Sequence, residues 1–174
     1  SFDKPPFIIE GASIVGQKEG DGPLGKLFDV VEQDPMLGQE TWEEAESLLQ
    51  KEAIQKLLFK AGMSKEEIRY IFGGDLLGQL IATTFGILEF EVPFFGLYGA
   101  CSTMGEALSL GAVMVEAGNA DNVIAMASSH FASAERQFRF PLAYGNQRPY
   151  AATWTVTGCG AVIISTKKGF AKIT

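Results

Sequence analysis

The sequence has few of the residues that build ready-made sites. It has two cysteines, Cys101 and Cys159, and one histidine, His130. Neither cysteine belongs to a CxxC pair, which excludes a disulfide framework and a zinc-finger spacing. A reducing compartment is the simpler inference. Beyond Lys167-Lys168 there is no basic cluster, and the net charge is -7. A nucleic-acid surface needs a basic face, so no nucleic-acid partner is expected. The opening residues Ser1-Phe2-Asp3-Lys4-Pro5-Pro6 do not read as a signal peptide. One uncharged run, 149–166, has the length of a membrane span. Its threonines, glycines and β-branched residues read instead as two adjoining strands around a glycine turn. There is no internal repeat, no low-complexity segment and no linker. Nothing calls for a cofactor or a metal.

What is present is an ordinary globular balance. The 174 residues are 47% apolar and 20% charged, enough for one domain with a sizeable core. Residues 7–15 read as a first strand, 16–25 as a glycine-rich loop and 24–31 as a short helix. Thr41 and Glu44 make a capping box that opens the clearest helix. Its apolar stripe is Ala45, Leu48, Leu49, Ala53, Ile54, Leu57 and Leu58, and Gly62 closes it. Residues 68–72 read as a strand, 76–88 as a helix and 122–127 as a strand apolar throughout, as in a sheet covered on both faces. Residues 131–140 read as a helical excursion, 142–149 as a polar loop, 151–156 and 161–166 as strands, and 172–174 as the start of another. The alternation predicts an α/β domain with a largely parallel sheet and helices on both faces.

The chain is organised around Phe94-Phe95-Gly96-Leu97-Tyr98-Gly99-Ala100-Cys101-Ser102-Thr103-Met104-Gly105-Glu106. Residues 94–98 read as a short strand, and Thr103 with Glu106 reads as a second capping box. Cys101 falls at the elbow before the helix. N–H groups at such an opening favour an anion, whether a thiolate or a bound carboxylate. The turns that follow carry Leu108, Leu110, Val113, Met114 and Val115 and lack a polar face, so this helix is expected to be buried on all sides. A free cysteine is otherwise most often a small buried hydrophobe, and Cys159 reads that way. His130 lies just past a strand end, where α/β folds place ligands; a partly exposed loop histidine is the other reading. Arg136, Arg139 and Arg148 stand among Phe138, Phe140, Tyr144 and Tyr150. They read either as anion forks beside stacking faces or as a solvated loop.

The strand–Gly-Ala-Cys–helix arrangement resembles the thiolase and ketoacyl synthase superfamily. Thr157-Gly158-Cys159-Gly160-Ala161-Val162 is similar to the glycine-rich turn that closes the N-terminal half of those enzymes. The likeness sharpens at Gly74-Asp75-Leu76-Leu77, Leu97 to Met104, Ser128-Ser129-His130-Phe131, Ala134 to Pro141, and Tyr144-Gly145-Asn146-Gln147-Arg148-Pro149. These stretches resemble the stage V sporulation protein AD family of endospore-forming bacteria, and the resemblance covers nearly the whole chain.

That resemblance implies a thiolase-like layered fold, of which residues 1–174 would be the N-terminal half: three layers, a mostly parallel sheet and a buried central helix. It implies a non-catalytic binder of dipicolinic acid (pyridine-2,6-dicarboxylate), free or as its calcium chelate, serving uptake into the developing spore. It implies a place at the inner membrane of the spore, beside other stage V sporulation membrane proteins. The alternative is an acyl-transfer enzyme with Cys101 as nucleophile. The expected ligand-binding residues are Cys101, Ser102, Thr103, His130, Phe138, Arg139, Tyr144, Asn146 and Arg148. A homo-oligomer is expected, because a half-fold leaves a sheet face or edge open.

Overall fold

The computed structural model describes residues 2–77, 80–138, 151 and 153–174. Among the described residues seven strands form one sheet: β1 (Phe7–Gly16), β2 (Val30–Glu32), β3 (Tyr70–Asp75), β4 (Phe94–Gly96), β5 (Asn122–Ser129), β6 (Gly158–Ser165) and β7 (Ala171–Lys172). The order is β2-β1-β6-β5-β3-β4, with β7 beside the first residues of β1. Strands β1 to β5 share one direction, and β6 runs against both its neighbours in the middle of the sheet. The largely parallel sheet is therefore crossed at its centre by an antiparallel strand.

Side-chain alternation sorts the sheet into two faces. Ile71, Ile124, Met126 and Ile163 pack toward one side, where helix α2 (Trp42–Ala61) contributes Leu49, Ala53, Ile54 and Leu57. Phe72, Val123, Ala125 and Ile164 pack toward the other, against Ala107 and Val115 of helix α4 (Thr103–Glu116). The short helices are α1 (Gln17–Gly20), α3 (Ile81–Ile87) and α5 (Phe131–Phe138).

Helix α2 begins where the sequence says it should. Thr41 is extended and accepts the Glu44 N–H at 3.2 Å, while the Glu44 carboxylate accepts the Thr41 N–H at 3.0 Å. Gly62 ends the helix in the left-handed region, at φ 63°, and returns its N–H to the Leu58 and Phe59 carbonyls.

Several expectations are corrected. The helix expected over 24–31 is a single turn at Gly25–Leu27 followed by β2, because Val30 and Val31 pair in register with Ile14 and Val15. The strand expected over 151–156 is absent among the described residues; the strand is β6, which starts at Gly158. Helix α4 is not buried all round. Thr103, Ala107, Gly111, Ala112 and Val115 face the sheet, whereas Leu110 and Val113 on the other side are 44% and 51% exposed. The small residues on the inner stripe explain the close seat: a Cβ on Gly111 would stand 2.8 Å from Ile164 Cδ1.

Candidate functional site

The elbow that carries Cys101 is fixed from β3. Strand β4 pairs with it in parallel, and the Leu97 N–H donates to the Gly73 carbonyl at 2.8 Å. Gly74 permits this approach, since a Cβ there would lie 2.3 Å from the Leu97 carbonyl oxygen. The chain then turns through Ala100–Ser102 into α4. Ala100 sits at φ 47°, a left-handed conformation that costs a non-glycine residue on the order of 1 kcal/mol. That turn leaves Cys101 exposed.

The capping box expected of Thr103 and Glu106 does not form. Ser102 stands at the cap position with helical angles, φ -89° and ψ -6°, and no side chain there caps a backbone N–H. Its hydroxyl is instead beside the Gly99 carbonyl at 2.9 Å and the Glu106 carboxylate. Thr103 is 1% exposed, and its hydroxyl has no partner among the described residues.

Cys101 opens onto a cavity of about 320 Å³ at the upper end of the sheet, on the α4 side. Ala100, Cys101 and Leu76 line one flank, and Ser129, Val156 and Gly158 another. Gly160, which pairs with Ala127 and Ser13, keeps the floor low: a Cβ there would meet nothing within 4 Å. The volume lies within the range of small-ligand sites.

The other expected site residues distribute unevenly. His130 is 1% exposed and forms a three-ring cluster with Trp42 and Phe131, its centroid 5.4 and 5.3 Å from theirs and theirs 6.1 Å apart. Its Nε2 is 2.8 Å from the Pro35 carbonyl, and its Nδ1 accepts the Ala132 N–H at 3.2 Å. A carbonyl only accepts and an amide N–H only donates, so the ring is the neutral Nε2–H tautomer. Burial holds its pKa below the ordinary histidine value. His130 is thus placed in an aromatic stack with both nitrogens engaged, and it does not line the cavity. Phe138 ends α5 with 64% of its surface exposed and is not on the cavity wall either. Arg139, Tyr144, Asn146 and Arg148 lie outside the described residues. Arg136 pairs with Glu43 at the surface.

Sequence reading missed a buried polar chain beside the cavity. Ser128 Oγ donates to Glu46 Oε1 at 2.7 Å. Gln50 Nε2 donates to Ser128 Oγ at 2.6 Å and to Thr83 Oγ1 at 3.0 Å. The Thr83 hydroxyl donates to Asp75 Oδ2 at 3.0 Å. Glu46, Gln50, Asp75, Thr83 and Ser128 are all at most 7% exposed. Burial, with the Asp75 carboxylate nearby, pushes the Glu46 pKa up to about 7, against the hydrogen bond from Ser128. Gln50 Oε1 has no partner among the described residues. A signal was available in the sequence: Glu46 and Gln50 are four apart and interleave with Ala45, Leu49 and Ala53 on the buried stripe of α2.

The family model for stage V sporulation protein AD (SpoVAD) matches residues 1–174. Stage V sporulation protein AD of Bacillus subtilis (strain 168) is 41% identical over 173 residues, covering 99% of this chain and 51% of that protein. The chain therefore spans about half the length of the curated relative it matches. Among solved structures, 3-oxoacyl-[acyl-carrier-protein] synthase III from Aquifex aeolicus VF5 superposes with a TM-score of 0.61 at 17% identity, over 92% of this chain and 53% of that one. The corresponding synthase III of Xanthomonas oryzae pv. oryzae gives 0.62 at 16% identity, over 94% and 56%. These likenesses establish a thiolase-like α/β fold and no activity. The chain belongs to the stage V sporulation protein AD family.

Proposed function

We propose that the protein binds dipicolinic acid at the Cys101 cavity, without catalysis, for its uptake into the developing spore. The observation that carries the reading is the pairing of that cavity with a histidine that is turned away from it. Acyl transfer needs a base beside the nucleophile and donors for the oxyanion. His130 is the single histidine of the chain, and both its nitrogens are engaged elsewhere. Binding needs less. Dipicolinate is a planar aromatic dianion that the Cys101 elbow receives at one carboxylate, while Arg139 or Arg148 offers a fork to the other. Tyr144 presents a ring face, and Asn146 and Ser102 supply polar groups around it. The calcium chelate is a second form of the same ligand.

Among the described residues no helix is long and apolar enough to cross a membrane. A peripheral place at the spore inner membrane, beside other stage V sporulation membrane proteins, fits that observation. Self-association would use the exposed side of α4, where Leu110 and Val113 stand in solvent.

The test is calorimetric titration of dipicolinate into the natural full-length protein and into Cys101→Ala, Arg139→Ala and Arg148→Ala. Loss of an arginine contact should weaken binding by roughly ten- to a hundredfold. Absence of binding by the parent would falsify the reading. The other reading, acyl transfer through Cys101, is favoured by the exposed cysteine at a strained turn on a synthase-like fold. It is checked by mass spectrometry for an acyl adduct with turnover after incubation with acyl-CoA.

A further inference from the structure

We propose that Glu46 is a proton-sensing positioning residue for the Cys101 cavity: through Ser128 and Gln50, its charge state sets how Leu76 and Ser128–Ser129 form the cavity wall. The inference rests on the reading above only where it concerns the ligand.

The geometry is a closed ring of bonds that shares two residues with the cavity. Ser128 and Leu76 line it. On the far face of β5 the Ser128 hydroxyl is gripped by Glu46 and Gln50. The Leu76 N–H donates to the Ser128 carbonyl at 3.0 Å. Leu76 follows Asp75, whose carboxylate accepts from both the N–H and the hydroxyl of Thr83. Thr83 in turn is tied by Gln50. The ring thus runs from Ser128 through Gln50, Thr83 and Asp75 to Leu76 and back to Ser128, with Glu46 bonded to it at Ser128.

Counting protons shows that this ring has two wirings. With Glu46 charged, each hydroxyl points its hydrogen at a carboxylate, and the Gln50 amide gives both of its hydrogens to hydroxyls. One acceptor is then left over, the buried Gln50 Oε1. An added proton on Glu46 must be donated; the Ser128 oxygen at 2.7 Å and the Ser133 hydroxyl, which itself donates to the His130 carbonyl, are the two groups in place to accept it, and the Ser128 wiring is the one that reaches the cavity. The Ser128 hydrogen must then find another acceptor. Turning the Gln50 amide over supplies one, because Oε1 takes the Ser128 hydrogen. The amide NH₂ moves to the Gly86 side, where the Ser47 carbonyl also lies. The orphaned oxygen of the charged state is satisfied in the protonated one, and the tie between Ser128 and Thr83 is released. The wall at Leu76 and Ser129 moves with it.

The charges around Glu46 place this switch in an accessible range. Asp75 faces it from β3 and Glu43 from its own helix, while Cys159 faces it from β6. Helix α5 brings Glu135 and Arg136, the latter paired with Glu43. Helix α3 carries no titratable side chain, and His130 is held neutral. Burial and the two acidic neighbours raise the proton affinity of Glu46 to near neutrality. An anion bound in the cavity adds negative charge across the sheet and raises it further. Binding of a dianion therefore takes up a proton, and by linkage its affinity is higher where Glu46 is protonated.

The experiment follows the Glu46 carboxyl by carbon NMR, and the amides of Leu76, Ser128 and Ser129, from about pH 5.5 to about 8.5 in the natural full-length protein. One shared midpoint near neutrality is expected, and the amides should stop moving in Glu46→Gln. Dipicolinate affinity should fall several-fold as pH rises through that midpoint and be flat with pH in the variant. Amides that do not titrate, or that still titrate in Glu46→Gln, overturn the proposal. If that variant does not fold, different midpoints for the carboxyl and the amides in the parent overturn it equally. Failure of dipicolinate to bind at any pH removes the ligand reading alone, and the amide titration still decides the role of Glu46.

Discussion

Ser128 and Asp75 are direct partners in the β3–β5 ladder, and each stands next to a buried acidic or hydroxyl neighbour from another element. The two strand ends are thereby tied to α2 and α3 as well as to each other. Where the strands stop, the cavity begins.

The first consequence is a pH-dependent stability. A carboxyl whose folded pKa lies above its unfolded value contributes stability in full below the unfolded value, and loses it as pH rises through the folded one. For Glu46 that window runs from 4.5 to about 7. Urea unfolding should show stability falling across it by on the order of 1–3 kcal/mol. His130, with its pKa lowered by burial, acts with the opposite sign, losing stability as pH falls below its unfolded value. The difference between the parent and Glu46→Gln therefore isolates the Glu46 contribution. A difference that does not change with pH would remove it.

The strained turn at Ala100 gives a second expectation. Glycine relieves the left-handed conformation but gains freedom in the unfolded chain. Ala100→Gly should therefore range from neutral to stabilising by about 1 kcal/mol. Ala100→Val places a β-branched residue at φ 47° and should cost about 1–2 kcal/mol or more. Equal stability of the two variants in thermal unfolding would show that the turn is not strained.

Helix α4 offers a third. Ala112 is fully buried, whereas Val113 is half exposed. Ala112→Leu overpacks the sheet side and should cost about 1–3 kcal/mol. Val113→Ser should stay within about 0.5 kcal/mol. If Val113→Ser is as costly as a core change, and the cost depends on protein concentration, then a second copy covers that side in solution.

How far the sequence foretold this molecule depends on the range of the interactions involved. Helix α2 was legible to the residue at both ends, because a capping box and a left-handed glycine act within four residues. The antiparallel course of β6 was not, since strand direction is set by pairing with β1 and β5, far away in sequence. The apolar composition of α4 foretold burial, but composition does not say which sides find a partner. At the site, Cys101 was placed at the elbow by a local strand–turn–helix pattern. Glu46 and Gln50 were read past because polar residues on an apolar stripe acquire meaning only when Ser128 and Thr83 arrive opposite them.

The last expectation concerns the two thiols. Cys101 is exposed at the cavity mouth, while Cys159 is 2% exposed in β6, where burial pushes its thiol pKa strongly up. A thiol reagent needs both access and thiolate, so a water-soluble reagent should modify Cys101 within the time of mixing and sampling. Cys159 should react only through opening of the central sheet. For a domain of ordinary stability, that opening limits labelling to about one molecule in a thousand or fewer at any moment. Peptide mapping after a short pulse should find the label at Cys101 and not at Cys159, and in Cys101→Ala residues 1–174 should stay unlabelled until denaturant is added. Dipicolinate turns the same pulse into a binding measurement. A ligand seated against the elbow shields Cys101, and its labelling should slow in proportion to occupancy, half-maximally at the dissociation constant found by calorimetry. If calorimetry detects binding while the Cys101 rate is unchanged at saturation, the ligand lies elsewhere and the cavity at the elbow is not its site.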